Sequence, residues 1–178
     1  DMLSAYSAVN QGHRHPAVIK ALKDQADVLT LTSRAFFNDR WPLFARKLSE
    51  LTGKEMVLPM NTGAEAVETA IKTMRKWGYL VKKVEADKAE IIVFCENFHG
   101  RTTTIISFST DPAGHDFYGP YTPGFTIVPY NDLEAVEKAI GKNTVGIMVE
   151  PIQGEAGVVV PDEGFLAGLG RIAKKHNV

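Results

Sequence analysis

The chain has 178 residues, is 44% hydrophobic and 23% charged, and carries a formal net charge of −1. These values describe an ordinary soluble globular protein of one domain or two small ones; the scattered lysines and arginines exclude nucleic acid and an anionic membrane surface as partners, and no apolar run is long enough to span a bilayer. Cys95 is the only cysteine, so an intramolecular disulfide is excluded and a reducing compartment is expected, the cytoplasm or, in a eukaryote, the mitochondrial matrix.

Residues 1–16 lack a clean period and end in Gly, His and Pro, so they are expected to be irregular. Val18, Ala21, Leu22 and Leu29 are spaced for a helix over 16–29. "TLTSRAFFND" reads as a loop or short extended piece. Pro42 opens a helix through Leu43, Phe44, Leu48 and Leu51, and Gly53 stops it. "EMVLPM" is a short apolar segment that leads, strand-like, into a helix over Ala64–Trp77, where Val67, Ala70, Ile71, Met74 and Trp77 share one face. "EIIVFC" and "TVGIMVE" have the composition of buried strands, and "FTIVPY" reads as another strand. "RTTTIISFS" is expected to begin as a helix, although its β-branched residues weigh against that. Residues 110–124 hold three prolines and three glycines and must loop. Asn131 with Glu134 forms a capping box for a helix Leu133–Ile140 closed by Gly141. "PIQGEAGVVVPDEG" is a second glycine-rich loop, and a last helix runs from about Phe165 to His176.

Short apolar strands alternating with helices specify an α/β fold with a mainly parallel sheet, whose ligands bind where strands end and helices begin. Three corners qualify. At Asn61-Thr62-Gly63-Ala64 the unsatisfied N–H groups and dipole of a helix N-terminus suit an anion, best a phosphate. Neither GxxxxGK[ST] nor GxGxxG is present, so a nucleoside triphosphate and a dinucleotide are not expected. Alone, this corner reads as a capped helix without a ligand, or as a phosphosugar site.

In "CENFHGRT" the Phe98 face can stack on a planar ring and Arg101 can grip a carboxylate with a two-pronged fork. Taken singly, Phe98 as a core side chain, His99 on the surface and Arg101 in a structural ion pair are the commoner fates; their adjacency at a strand end favours a site. In "EPIQGEAGVVVP", Glu150 ends a hydrophobic strand and needs a partner for a partly buried carboxylate, and Glu155 lies on the loop nearby. Acid–base work by the two is open, but a hydrogen-bonded structural glutamate is commoner. The pair His13 and His15 lacks the further ligands of a metal set, and Cys95 has no base beside it.

Taken in order, "NQGHRHP", "TLTSRAFFN", "VLPMNTGAEAVETAIK", "NFHGRT", "STDP", "GPYTPGF", "VPYNDL" and "EPIQGEAGVVVP" resemble the class III (subgroup II) aminotransferases across essentially the whole chain. "TSRAF" and "PYNDL" are closest to the branch that acts on ornithine; "GHxHP", "NTGxEA" and "EPIQGE" are shared with relatives acting on acetylornithine or γ-aminobutyrate. The resemblance implies pyridoxal 5'-phosphate on the fold-type-I scaffold, with residues 1–41 an N-terminal segment and 42–178 part of the cofactor-binding large domain. It implies that Thr62, Gly63 and Ala64 hold the cofactor phosphate and that Phe98 stacks on the pyridine ring. By the same resemblance Arg101 holds the α-carboxylate of glutamate or 2-oxoglutarate, Tyr6 lines the ornithine pocket, and Glu155 pairs with a distant arginine. His99 stands where the ornithine enzymes often carry Trp. It further implies a homodimer or larger assembly.

The family's lysine that bonds to the cofactor, and its aspartate on the pyridine nitrogen, have no counterpart here. The lysines in "VKKVEADK" and "AKKHNV" are expected to be solvated. The chain begins at Asp1 and ends on a helix followed by one apolar residue, and is read as an excerpt of a longer enzyme, inactive by itself.

Overall fold

The computed structural model describes residues 4–33 and 35–178. The chain forms two compact units, Asp1–Leu58 and Pro59–Val178. The first holds α1 (Pro16–Ala26) and α2 (Trp41–Thr52), each opened by a proline in its first turn. Proline suits that place because its missing N–H would have no intrahelical acceptor. Asn38 precedes α2 and its Oδ1 accepts from the N–H groups of Arg40 and Trp41. Gly53, at φ 67°, ends the helix in the left-handed conformation expected of it. Neither helix buries a residue, and Leu22, Leu43, Phe44 and Leu51 are exposed.

The second unit is a three-layer α/β structure. Its strands β1 (Glu90–Phe94), β2 (Phe125–Val128) and β3 (Thr144–Ile147) pair in parallel in the order β2-β1-β3. Side chains alternate across a strand, so the apolar run of β1 serves both faces. Ile91 and Val93 pack with Ile71, Ile105, Phe108 and Val145 under α3 (Gly63–Trp77). Ile92 and Phe94 pack with Val128, Val136, Phe165 and Leu169 under α5 (Leu133–Ala139) and α6 (Phe165–His176). Gly146 of β3 lies directly against the Met74 side chain of α3, so a methyl group there would have to push that side chain aside. No helix among the described residues is long and apolar enough to cross a membrane.

Four expectations need correction. Glu55–Met60 forms no strand: Pro59 has no N–H to give to a ladder, and an apolar run without a partner strand stays irregular. Arg101–Thr104 is a turn, and only Ile105–Phe108 coils, as a 3₁₀ segment. The Thr102 hydroxyl accepts from the Ile105 N–H and donates to Glu68, competing with helix formation. The cap of α5 is Asp132, whose Oδ1 accepts from the Ala135 N–H; Asn131, at φ 64°, instead accepts from the Asp162 N–H, and the helix ends at Ala139. Residues 110–124 form a loop as expected, interrupted by the single turn α4 (Pro112–His115) that Asp111 caps.

Lys82 also departs from its expected solvation. It lies on a π-helical turn, Gly78–Lys82, that prolongs α3. Its Nζ donates to the carbonyls of Thr144 and His176 at 2.6 and 3.4 Å, and burial pushes its pKa down. It is a structural tie between β3 and the end of α6.

Candidate functional site

The site forms at the C-terminal edge of the sheet, where β1 and β3 give way to loops. At the neighbouring start of α3, Thr62 has extended backbone and its Oγ1 accepts from the Glu65 N–H at 3.1 Å. Glu65 returns the contact, accepting from the N–H groups of Asn61 and Thr62 at 2.8 and 3.2 Å. The sequence carries this capping box as T-G-A-E. Because Glu65 is turned back onto Asn61 and Thr62, the N–H groups of Gly63 and Ala64 are left without an acceptor among the described residues. The space above Gly63 is open: a methyl group there would meet nothing within 4 Å. Two unpaired donors at the positive end of a fifteen-residue helix, under open space, fit a phosphate.

The turn after β1 is fixed by its own backbone. Glu96 has φ 58° and Gly100 φ 129°. Between them Asn97, 7% exposed, donates from Nδ2 to the carbonyls of Phe94 and Phe108 at 2.7 and 2.9 Å. Nothing in the sequence distinguished Asn97 from other polar loop residues, since both of its acceptors are main-chain atoms. The glycine at 100 is required twice over. Its φ lies where side chains strain, and a methyl group would come within 3.0 Å of Ile105 Cδ1 and 3.1 Å of Ala64 Cβ. Through this contact the second corner rests on the first.

Phe98 is 38% exposed, so it is not sealed in the core. The Arg101 guanidinium carbon lies 4.8 Å from the centre of that ring, within range of a cation–π contact. Among the described residues no carboxylate pairs with Arg101, so its fork is not committed to a structural ion pair. His99 is half-buried with its ring tilted against Phe108 at 5.9 Å, and burial pushes its pKa below the ordinary value, towards the neutral imidazole. It is not the surface residue the sequence suggested.

The third corner ties into the second. Glu150 carries its carboxylate to the Phe98 N–H at 3.2 Å. Burial raises its pKa, the N–H groups of Phe98 and Gly154 pull it down, and Glu155 raises it further. Gln153, 2% exposed, donates from Nε2 to the Cys95 carbonyl at 2.8 Å. Gln153 and Val159 bridge antiparallel, closing the glycine-rich loop on itself and placing Glu155 at its exposed tip.

A cleft of 520 Å³ runs along this edge, and Phe98, His99, Arg101, Asp111 and Glu155 are among the side chains that line it. The structure thus gathers Phe98, Arg101 and Glu155 into one concavity. Thr62, Gly63 and Ala64 flank it, joined through the Ala64–Gly100 contact. Tyr6 belongs to the first unit, where it is 88% exposed in a turn of left-handed residues. An aromatic face, an arginine fork and a pair of free helix N–H groups can together hold a molecule with a planar ring, a phosphate and a carboxylated companion. Among the described residues no lysine lines the cleft.

The family model described as aminotransferase class-III matches residues 1–178. The chain is 62% identical over its whole length to the ornithine aminotransferase of Brevibacillus brevis, of which it covers 45%. It superposes with a TM-score of 0.95, at 46% identity, on the ornithine aminotransferase of Toxoplasma gondii, a structure reported to show partial occupancy of pyridoxal phosphate at the active site; the match covers 99% of this chain and 42% of that one. It superposes with a TM-score of 0.81, at 56% identity, on the acetylornithine aminotransferase of Elizabethkingia anophelis, covering 99% of this chain and 43% of that one. The chain therefore spans less than half the length of the relatives it matches.

Proposed function

The chain belongs to the aminotransferase class-III family, and from that membership we propose that it is part of a pyridoxal-phosphate enzyme that moves the δ-amino group of L-ornithine to 2-oxoglutarate. The products are glutamate semialdehyde and glutamate. The α/β unit with its parallel sheet is part of the fold-type-I large domain, and residues 1–41 form the N-terminal segment that precedes it. The observation that carries the reading is the convergence of the three corners. Free N–H groups at Gly63 and Ala64, the partly exposed ring of Phe98 and the uncommitted fork of Arg101 stand side by side on one sheet edge.

Each residue has a defined task. Gly63 and Ala64 donate main-chain N–H groups to the cofactor phosphate, with the Thr62 hydroxyl beside them, already engaged in capping the helix. Phe98 packs its ring on the pyridine face and fixes its plane. Arg101 binds the α-carboxylate of 2-oxoglutarate or glutamate through two parallel N–H···O bonds, orienting the reacting carbon. Glu155, exposed at the loop tip, is the partner for a guanidinium supplied elsewhere in the full-length enzyme, and Tyr6 borders the ornithine chain. Bound there, pyridoxal phosphate supplies the electron sink that lets a proton leave the amino-bearing carbon. The cleft has no lysine to carry that proton, so the 178 residues alone are expected to be inactive.

Identity of 58–62% to curated ornithine aminotransferases favours ornithine as donor. The 56% identity to an acetylornithine enzyme supports a second reading, with acetylornithine in its place. Side-by-side kcat/KM values for ornithine, acetylornithine and γ-aminobutyrate, measured on the full-length enzyme, decide between them; ornithine is expected to lead. The exposed apolar side chains of α1 and α2 support assembly as a dimer or larger, because apolar groups that repeat along a helix are usually covered. The single cysteine supports a reducing setting, the cytoplasm or a mitochondrial matrix.

A further inference from the structure

The Glu150 carboxylate has no task among the roles given above, yet it ties the third corner to the second, meeting the N–H groups of Phe98 and Gly154. Its main chain is anchored from below: the Tyr130 hydroxyl donates to the Glu150 carbonyl at 2.9 Å. Tyr130 is itself wedged edge-on between Phe94 and Phe165, at 5.7 and 5.0 Å between ring centres. From that fixed base the Glu150 side chain crosses from the end of β3 to the turn after β1 and accepts from the Phe98 N–H at 3.2 Å. Gln153 makes a second crossing three residues on, to the Cys95 carbonyl at 2.8 Å. The turn between these two attachment points contains Glu96 at φ 58° and reaches Gly100 at φ 129°. Residues held in such conformations persist only where the surroundings over-determine them.

We propose that Glu150 is a positioning residue for the cofactor ring and the substrate carboxylate: by fixing the Phe98 main chain it sets the plane of the Phe98 ring and, three residues on, the reach of Arg101. The geometry separates this role from that of Gln153. Gln153 is fully enclosed and bonds a carbonyl at the strand end, so it serves the fold. Glu150 is only half-buried and bonds the N–H of the stacking residue itself. An acceptor that carries charge makes a stronger bond than an amide or a carbonyl would. The Phe98 N–H has no other acceptor among the described residues, so removing the carboxylate leaves it unbonded at the residue that carries the stacking ring, while Glu96 and Asn97 keep their own ties to Thr110, Phe94 and Phe108.

This inference rests on the roles given above to Phe98 and Arg101, and two readouts on the full-length enzyme keep the two claims apart. The first is amide hydrogen exchange over residues 96–101. In Glu150→Met, which keeps the side-chain length while removing the acceptor and a partly buried charge, exchange there is expected to quicken about tenfold, with β1 and β2 unchanged. Glu150→Gln, which keeps one carbonyl oxygen, is expected to fall between Met and wild type. The second is the split between KM and kcat: Glu150→Met is expected to raise KM for 2-oxoglutarate about tenfold and lower kcat less. Wild-type exchange over 96–101 in Glu150→Met overturns the proposal, as does faster exchange with an unchanged KM. If the wild-type enzyme does not use 2-oxoglutarate at all, the functional reading falls, and exchange over 96–101 still decides whether Glu150 fixes the turn.

Discussion

The Arg101 guanidinium lies 4.8 Å from the centre of the Phe98 ring, at the lip of a cleft that Glu155 also lines. Two groups assigned to different parts of the bound molecules, one to the cofactor ring and one to the substrate carboxylate, therefore share a single four-residue span of turn. Their spacing is set by backbone geometry rather than by the flexibility of either side chain.

Arg101→Ala in the full-length enzyme is expected to raise KM for 2-oxoglutarate by about a hundredfold, the loss of a bidentate charge-assisted pair of roughly 3 kcal/mol. The cofactor should remain bound, since Arg101 has no part in the phosphate cup. Steady-state kinetics together with the visible spectrum measure both. An unchanged KM would remove Arg101 from its role.

Gly63→Pro tests the cup without disturbing the helix. Position 63 is the first residue of α3, Thr62 before it is already extended, and the space above it is open. Proline is at home in such a place and deletes only the N–H. Affinity for pyridoxal phosphate should fall about tenfold, while the melting temperature of the cofactor-free protein moves little. Unaltered affinity would take Gly63 out of the phosphate site.

Gly100→Ala should destabilise the protein by about 1–3 kcal/mol through strain at φ 129° and crowding against Ile105 and Ala64. Thermal or denaturant unfolding measures this, and a variant as stable as wild type would show that the two corners are not held in contact.

Acid should weaken the packing of α5 on α6. Lys175 and His176 both hydrogen-bond Glu137, and these bonds hold its carboxyl below the usual carboxylate range. A group with a depressed folded-state pKa adds stability above its unfolded pKa and loses it as the pH falls through the folded one. Stability should therefore decline through the acidic range more steeply in wild type than in Glu137→Gln, as unfolding measured across pH would reveal. Equal slopes would deny Glu137 that part.

Much of this architecture is legible in local pattern. The apolar spacing along 64–77 and 165–176 marks both helices almost to the residue, and the short apolar runs at 90–94, 125–128 and 144–147 mark the three strands. The corners then followed from where those elements meet. What stayed hidden depends on partners distant in sequence. Glu150 and Phe98 are 52 residues apart, and nothing near either one announces the other. "EMVLPM" has an apolar composition but no neighbouring strand to pair with. At 131–132 two good capping residues stand side by side, and the choice falls to Asp132 because Asn131 is drawn to the Asp162 N–H.

The most direct measurement is a crystal structure of the full-length enzyme with pyridoxal phosphate and glutamate. The phosphate oxygens should lie about 3 Å from the main-chain nitrogens of Gly63 and Ala64, with the pyridine ring against Phe98 and the glutamate α-carboxylate on Arg101. A phosphate bound elsewhere, with the start of α3 facing only solvent, would contradict the account.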